Sequence, residues 1–300
     1  MITNIINSLT EVATVSGFST PLTRVTDIEE AADNEDTEDE DEDDVLCKHL
    51  YELSTDLFKS VKYQKVNPSY MRKQELINER HRRILVEWII ETHVDFEFTN
   101  QTLYRTVGIV DRYLSSEAVD STILQLIGAV AFKIASKIVE NTVVQVDDLV
   151  FICDGAYDSD DVELMEIAML KELMYFKPSI SPYELLIRYL GTMSCKTKLT
   201  QFAVFVLELT LLSYDMLRYD SYTMAAAAFY IARHKYNLTS WGDNIAFMTM
   251  TPQYAVREAA LAIMGILDRE VRNTNHSIYV KYRCKKLGGI RAADIKNLRL

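Results

Sequence analysis

The chain is expected to be all-α, with two similar helical units in tandem, and three features lead there. Helix breakers are scarce, with 9 Gly and 5 Pro in 300 residues, while Leu, Ala, Ile, Met, Glu and Lys are plentiful; that balance favours helix. One stretch, Ser121 to Glu140 (STILQLIGAVAFKIASKIVE), lacks Pro and is apolar on nearly every face. Such a segment reads as a helix buried all round. Its pattern then returns: Ala131, Phe132, Ile134 and Ala135 recur as Ala228, Phe229, Ile231 and Ala232, 97 residues later. That period is too long for a solenoid and fits two copies of one globular unit.

The totals agree. A chain of 300 residues fits about two domains, and 48% apolar residues suffice for real cores. The net charge is −12, but Asp27 to Asp44 holds thirteen acids and no base, so the remainder sits at about +1. Bulk charge therefore argues neither for nor against nucleic acid. Cys47, Cys153, Cys195 and Cys284 lie far apart and form no C-x-x-C. A zinc ribbon is thereby excluded, and isolated thiols in a reducing compartment are expected. The N-terminal MITNIINSLTEVATVSG lacks the basic region of a signal peptide. No apolar run reaches membrane-spanning length without a charge.

Met1 to Asp44 is expected to be a disordered tail, because its acidic half self-repels and has little to bury. Thr20-Pro21 within it reads as an ordinary dipeptide, with proline-directed phosphorylation as the alternative. Val45 to Val66 has helical periodicity, with Asp44 as cap and Asn67-Pro68 as stop. After the connector SYMRKQELINE, a helix is expected over Arg80 to Phe96. His81, Ile84, Leu85, Trp88 and Glu91 share one of its faces. Thr99-Asn100 caps the next helix, Gln101 to Leu114, with Leu103, Val107, Val110 and Leu114 inward.

In the central helix, Gln125, Lys133 and Lys137 interrupt the apolar run. The step from Gln125 to Lys137 turns the surface by about 120° and spans about 18 Å. One helix can thus present Gln125 to one surface and Lys137 to another. A shorter helix follows over Asp147 to Asp154. Asp158-Ser159-Asp160-Asp161 then offers caps and first-turn acids for a helix ending near Lys171-Glu172. Pro178 and Pro182 bracket a linker. The second unit opens with YELLIRYL and continues over Leu199 to Leu212, Ser221 to Tyr236 and Pro252 to Asp268. A short basic tail, VKYRCKKLGGIR, follows.

Enzyme signatures are missing. There is no Gly-rich phosphate loop, no G-x-S-x-G and no H-E-x-x-H, and the five histidines show no i, i+4 pairing. Acid pairs such as Glu163 and Glu166 read as a solvated helix face. The residues alone therefore point to a helical interaction protein without catalytic, metal or cofactor chemistry.

At His81 to Glu91, HRRILVEWIIE resembles the cyclin signature usually seen as MRAILVDWLVE. YMRKQ precedes it, and TLYRTVGIVDRYL, LQLIGAVAFKIASK, FICDGAYDSDDVELMEIAMLKEL, SPYELLIRYL, SYTMAAAAFYIA and SIYVKYR follow in the family's order. The resemblance covers about residues 44 to 290 and is closest to the mitotic B-type group. It implies two tandem five-helix cyclin boxes. The organisation is then an acidic tail over 1–44, an N-terminal helix and connector over 45–78, boxes over 79–177 and 178–275, and a basic C-terminal segment over 276–300. It also implies a regulatory subunit, not an enzyme, that binds and activates a cyclin-dependent kinase in G2/M. Nucleus and cytoplasm are the implied compartments, with no cofactor, metal, nucleic acid or membrane partner.

By motif match, Lys137 and Glu166 are the pair that grips the kinase. Ile138, Glu140, Leu170 and Tyr175 match positions lining the same interface. From the residues alone, Lys137 and Glu166 would read as a surface bridge, and the other four as core or solvated face. His81, Ile84, Leu85, Trp88, Glu91 and Gln125 match the groove that receives Arg-x-Leu motifs of substrates and inhibitors. There Leu85 and Trp88 would form an apolar slot, Glu91 would pair with the Arg, and Gln125 would bond the peptide backbone. Without the resemblance, Ile84, Leu85 and Trp88 read as plain core.

The chain departs from the family at several points. His81 stands where Met is usual, which makes the groove more polar. Val139 replaces the first Glu of S-K-x-E-E, and Val143-Val144 replaces a common Pro-Pro. The R-x-x-L near the front, Arg82 to Leu85, falls inside a helix, so a destruction box is not expected. Two alternatives stay open: a double-box transcription factor, which would need a zinc ribbon and a basic helix face, and a cyclin that titrates a kinase without activating it.

Overall fold

The computed structural model describes residues 66–173, 180–238, 240–270, 276–291, 293–296 and 298. The expected acidic tail, nearly all of the expected N-terminal helix, and Tyr175 lie outside the described residues. Within them every regular element is helical. The first unit comprises α1 (Glu79–Asp95), α2 (Asn100–Ser116), α3 (Leu124–Val139), α4 (Val146–Ile152) and α5 (Ser159–Leu173). The second comprises α6 (Pro182–Thr192), α7 (Thr197–Leu209), α8 (Ser221–Lys235), α9 (Asp243–Thr249) and α10 (Gln253–Glu270). Two short helices, α11 (Ser277–Tyr282) and α12 (Ala293–Lys296), follow.

The recurrent segments are the two cores. In the first unit α3 packs against α1, α2 and α5; in the second α8 packs against α6, α7, α9 and α10. Both copies of the repeated Ala, Phe, Ile and Ala are buried. The segment Ser121–Val139 is long and apolar enough to cross a membrane by composition, and 67% of its most apolar 18-residue window is buried in the protein. Its apolar faces are those of a core helix. Its first three residues form a 3-10 turn, Ser121–Ile123, before α3 begins at Leu124.

Local chemistry sets the helix starts. Asn78 accepts from the backbone N–H of Arg80 and His81, while His81 Nδ1 accepts from Asn78 N–H at 3.1 Å. This reciprocal box begins α1. Asp158 and Asp161 do the same for α5, at 2.9 and 3.1 Å. Ser181 and Glu184 cap α6, with Pro182 at its first position. Thr99 makes no side-chain cap to α2, contrary to the reading of Thr99-Asn100; a carboxylate from elsewhere takes that task.

Adjacent arginines of α1 tie the halves together. Arg82 makes a two-pronged bond to Asp111 of α2, both contacts 2.7 Å, and Tyr70 donates to the same carboxylate at 2.8 Å. Arg82 Nη1 also reaches the Leu211 carbonyl of the second unit at 2.9 Å. Arg83 forks onto Glu270 of α10, both contacts 2.8 Å. Burial pushes the Glu270 carboxyl up, but the Arg83 hydrogen bonds outweigh it and hold it below the usual glutamate range. On the far side, Lys281 of α11 bonds both Glu208 oxygens and Asn100 Oδ1, each at 2.9 Å.

Candidate functional site

The C-terminal half of α3 carries a charge cluster. Lys133 and Lys137 lie one turn apart on one face of α3, and α5 lays Glu166 across both. Lys137 Nζ donates to Glu166 Oε1 at 2.5 Å, and Lys133 Nζ donates to Oε2 at 2.8 Å. Burial pushes the Glu166 carboxyl up, but hydrogen bonds from Lys133 and Lys137 outweigh it and hold it below the usual range. Glu166 is buried, so its reading with Glu163 as a solvated face fails: Glu163 is exposed, and one helical turn separates the two environments. The reason is the pair of ammonium groups that Glu166 alone meets. Lys133 was missed as a site residue, although its i, i+4 spacing to Lys137 was a signal. The Lys137 side chain remains 25% exposed.

The neighbours divide. Ile138 is half-buried against the core, and Leu170 is core. Glu140 follows α3 and turns inward: its Oε1 accepts from Thr99 N–H and Thr99 Oγ1, both at 2.8 Å, and from the Thr102 hydroxyl. Expected as a lining residue of an interface, it is half-buried and holds the start of α2 through the Thr99 N–H, a donor with no intrahelical acceptor. Next to Glu166 on α5, Ile167 keeps a large exposed apolar surface, and Leu164 does so farther round the helix. Neither was singled out in the sequence, where each reads as one more helical apolar. Apolar surface around a desolvated charge cluster has the composition of a protein interface.

The groove residues sit where α1 crosses the first half of α3. A Cβ on Gly128 would lie 2.7 Å from Leu85 Cδ1 and 3.4 Å from Trp88 Cζ3, so the missing side chain permits the close crossing. Leu85 is 4% exposed and is therefore floor and core, not an open slot wall. Ile84 is 54% exposed and Trp88 half-buried, which leaves these two as the accessible apolar surface. Glu91 is exposed farther along α1, and Gln125 is half-buried one turn before Gly128. His81 is half-buried, with Nδ1 held in the α1 cap. Gln125 and Lys137 thus occupy opposite ends of α3.

Both halves of this architecture match known families. The cyclin N-terminal domain matches residues 54–176, and the cyclin C-terminal domain matches residues 180–295. The chain belongs to the cyclin family. This cyclin is 31% identical over 281 residues to Cyclin-B2-2 of Oryza sativa subsp. indica, covering 93% of this chain and 67% of that protein. It is 32% identical over 234 residues to Cyclin-B1-2 of Arabidopsis thaliana, covering 78% of this chain and 53% of that one. It therefore spans about half the length of the Arabidopsis relative. Among solved structures, a viral cyclin from herpesvirus saimiri aligns with TM-score 0.62 at 16% identity, covering 74% of this chain and 96% of that one. A chain of the yeast RNA Pol II CTD kinase CTDK-1 complex aligns with TM-score 0.57 at 14% identity, covering 72% and 73%. At such identities these two establish the two-box fold.

Proposed function

We propose that this cyclin is the regulatory subunit of a cyclin-dependent protein kinase in the mitotic cell cycle, with nucleus and cytoplasm as its compartments. The observation that carries the reading is the paired Lys137 and Glu166 at the accessible end of the first central helix, in a chain related to B-type cyclins. An ammonium offers donors and a carboxylate offers acceptors, so the pair can hold polar groups at the ends of a kinase helix. Ile138 and Ile167 supply apolar area around it. Docking that moves a kinase helix inward completes the kinase's own Lys–Glu ion pair and orders its activation loop. The cyclin contributes binding energy that differs between two kinase states and performs no bond chemistry.

The test is to purify the chain with recombinant cyclin-dependent kinases and measure histone phosphorylation. Stable association with a rise in activity is the expected result. Association without activation would turn the reading to a titrating cyclin, and absence of association would overturn it.

The Ile84–Trp88 surface is the substrate-docking part of the same reading. It would receive the Leu of an Arg-x-Leu motif, with Glu91 meeting the Arg and Gln125 the peptide backbone. Leu85 supports that surface from beneath. Trp88→Ala is expected to slow phosphorylation of Arg-x-Leu substrates by about tenfold or more, while a short peptide lacking the motif is phosphorylated as before. Equal loss on both would make Trp88 a packing residue only.

A further inference from the structure

We propose that Lys133 gives the docking cluster a surplus positive charge, and that it thereby selects a partner helix bringing a carboxylate to Lys137. The inference rests on the kinase-binding reading and names the chemistry of the kinase surface that fits this chain.

A single Lys–Glu pair is neutral. Here one carboxylate serves two lysines, one on each oxygen, at 2.5 and 2.8 Å. Lys133 is 6% exposed and lies within the core helix. It cannot turn outward to a partner, so its charge acts through Glu166. Two consequences follow. Glu166 already accepts a charge-assisted bond on each oxygen, so it is a weaker acceptor for donors from outside. The cluster as a whole carries one positive charge more than it can neutralise. The ion pair of Lys137 among the described residues is the one with Glu166. An ammonium has three donors, and the hydrogen bond Lys137 makes here uses one of them.

In the free cyclin, water meets the remainder, since the Lys137 side chain is 25% exposed. A partner packing over Ile138 and Ile167 removes that water. An ammonium losing its water without a counter-charge is costly, whereas a carboxylate placed against it is strongly favourable. A neutral helix end is therefore a poor fit and an acidic one a good fit. Glu140, just past the end of α3, is engaged with Thr99, and among the described residues the salt-bridge partner of Lys137 is Glu166.

The experiment uses the full chain and a recombinant cyclin-dependent kinase in two forms. One form is native; in the other, the acidic side chains of the docking helix are changed to amides, except the glutamate of the kinase's own Lys–Glu pair, which is kept. The native cyclin is expected to bind the amide form about tenfold or more weakly than the acidic form. Lys133→Met removes the surplus charge while Lys137 keeps Glu166, and its preference for the acidic form is expected to fall to about twofold or less. Lys133→Arg should restore the preference. Each variant is compared with itself on two kinase forms, so a general loss of stability does not move the ratio. Should Lys133→Met fold poorly, Lys133→Gln replaces it, retaining a donor and removing the charge. An unchanged preference in the neutral variant would make Lys133 a core residue and overturn the proposal. Failure of the native chain to bind any such kinase would overturn the functional reading and this inference with it.

Discussion

Asp111→Ala is expected to destabilise the protein by about 3–5 kcal/mol, because it strips the counter-charge from a buried guanidinium. Arg82 is 2% exposed and bonds Asp111 twice, while Tyr70 donates to the same carboxylate. Removing that carboxylate leaves a buried cation and a buried hydroxyl without their acceptor. Total stability of a domain is only about 5–15 kcal/mol, so the loss takes a large share of it. Equilibrium denaturation of the two proteins measures the effect. The double variant Arg82→Leu with Asp111→Leu should be less destabilised than Asp111→Ala, since it buries no unpaired charge. A fall of less than about 1 kcal/mol in Asp111→Ala would mean that water or another group takes over the guanidinium.

Lys137→Ala is expected to weaken kinase association by about 2–5 kcal/mol, from the loss of a half-desolvated charge at the centre of the contact. The structure makes it a cleaner test than any change at Glu166. Glu166 keeps Lys133 in Lys137→Ala, whereas its own truncation would strand two ammonium groups, one of them buried. Folding and binding effects would then be confounded. Helicity and melting temperature should change little in Lys137→Ala, while binding measured by titration or pull-down collapses. Native-like retention of the kinase would remove Lys137 from the interface.

What could be read from the chain, and what could not, follows from the range of the interactions. The helices were legible because period and caps are local. The core repeat of Ala131, Phe132, Ile134 and Ala135 needed only a count of 97 residues to reveal the second unit. Helix α9, seven residues over Asp243–Thr249, was missed because Gly242 gives it no side-chain cap, whereas the equally short α4 starts on a Gln145–Asp148 box. Arg82 and Asp111 are 29 residues apart and look like ordinary charges on amphipathic helices; only packing shows that they are buried together. Lys133 looked like an interruption of an apolar run until Glu166 was found 33 residues on. Glu140 has a bond that no local signal announces: it meets Thr99, 41 residues earlier in the chain, through the N–H and hydroxyl of that residue. Leu85 was placed in the groove by motif match, whereas the residues alone read it as core, and packed against Gly128 it is 4% exposed.

Arg82 to Leu211, Arg83 to Glu270, and Lys281 to both Asn100 and Glu208 link the two units at separate points. Several struts of this kind resist hinging and twisting better than one. A protein seated on α3 and α5 is consequently held at a fixed bearing to the second half, whose first helix, α6, starts at Pro182. Any ligand carried on that half would travel with it as cargo on a rigid arm, its orientation decided at folding and not at encounter.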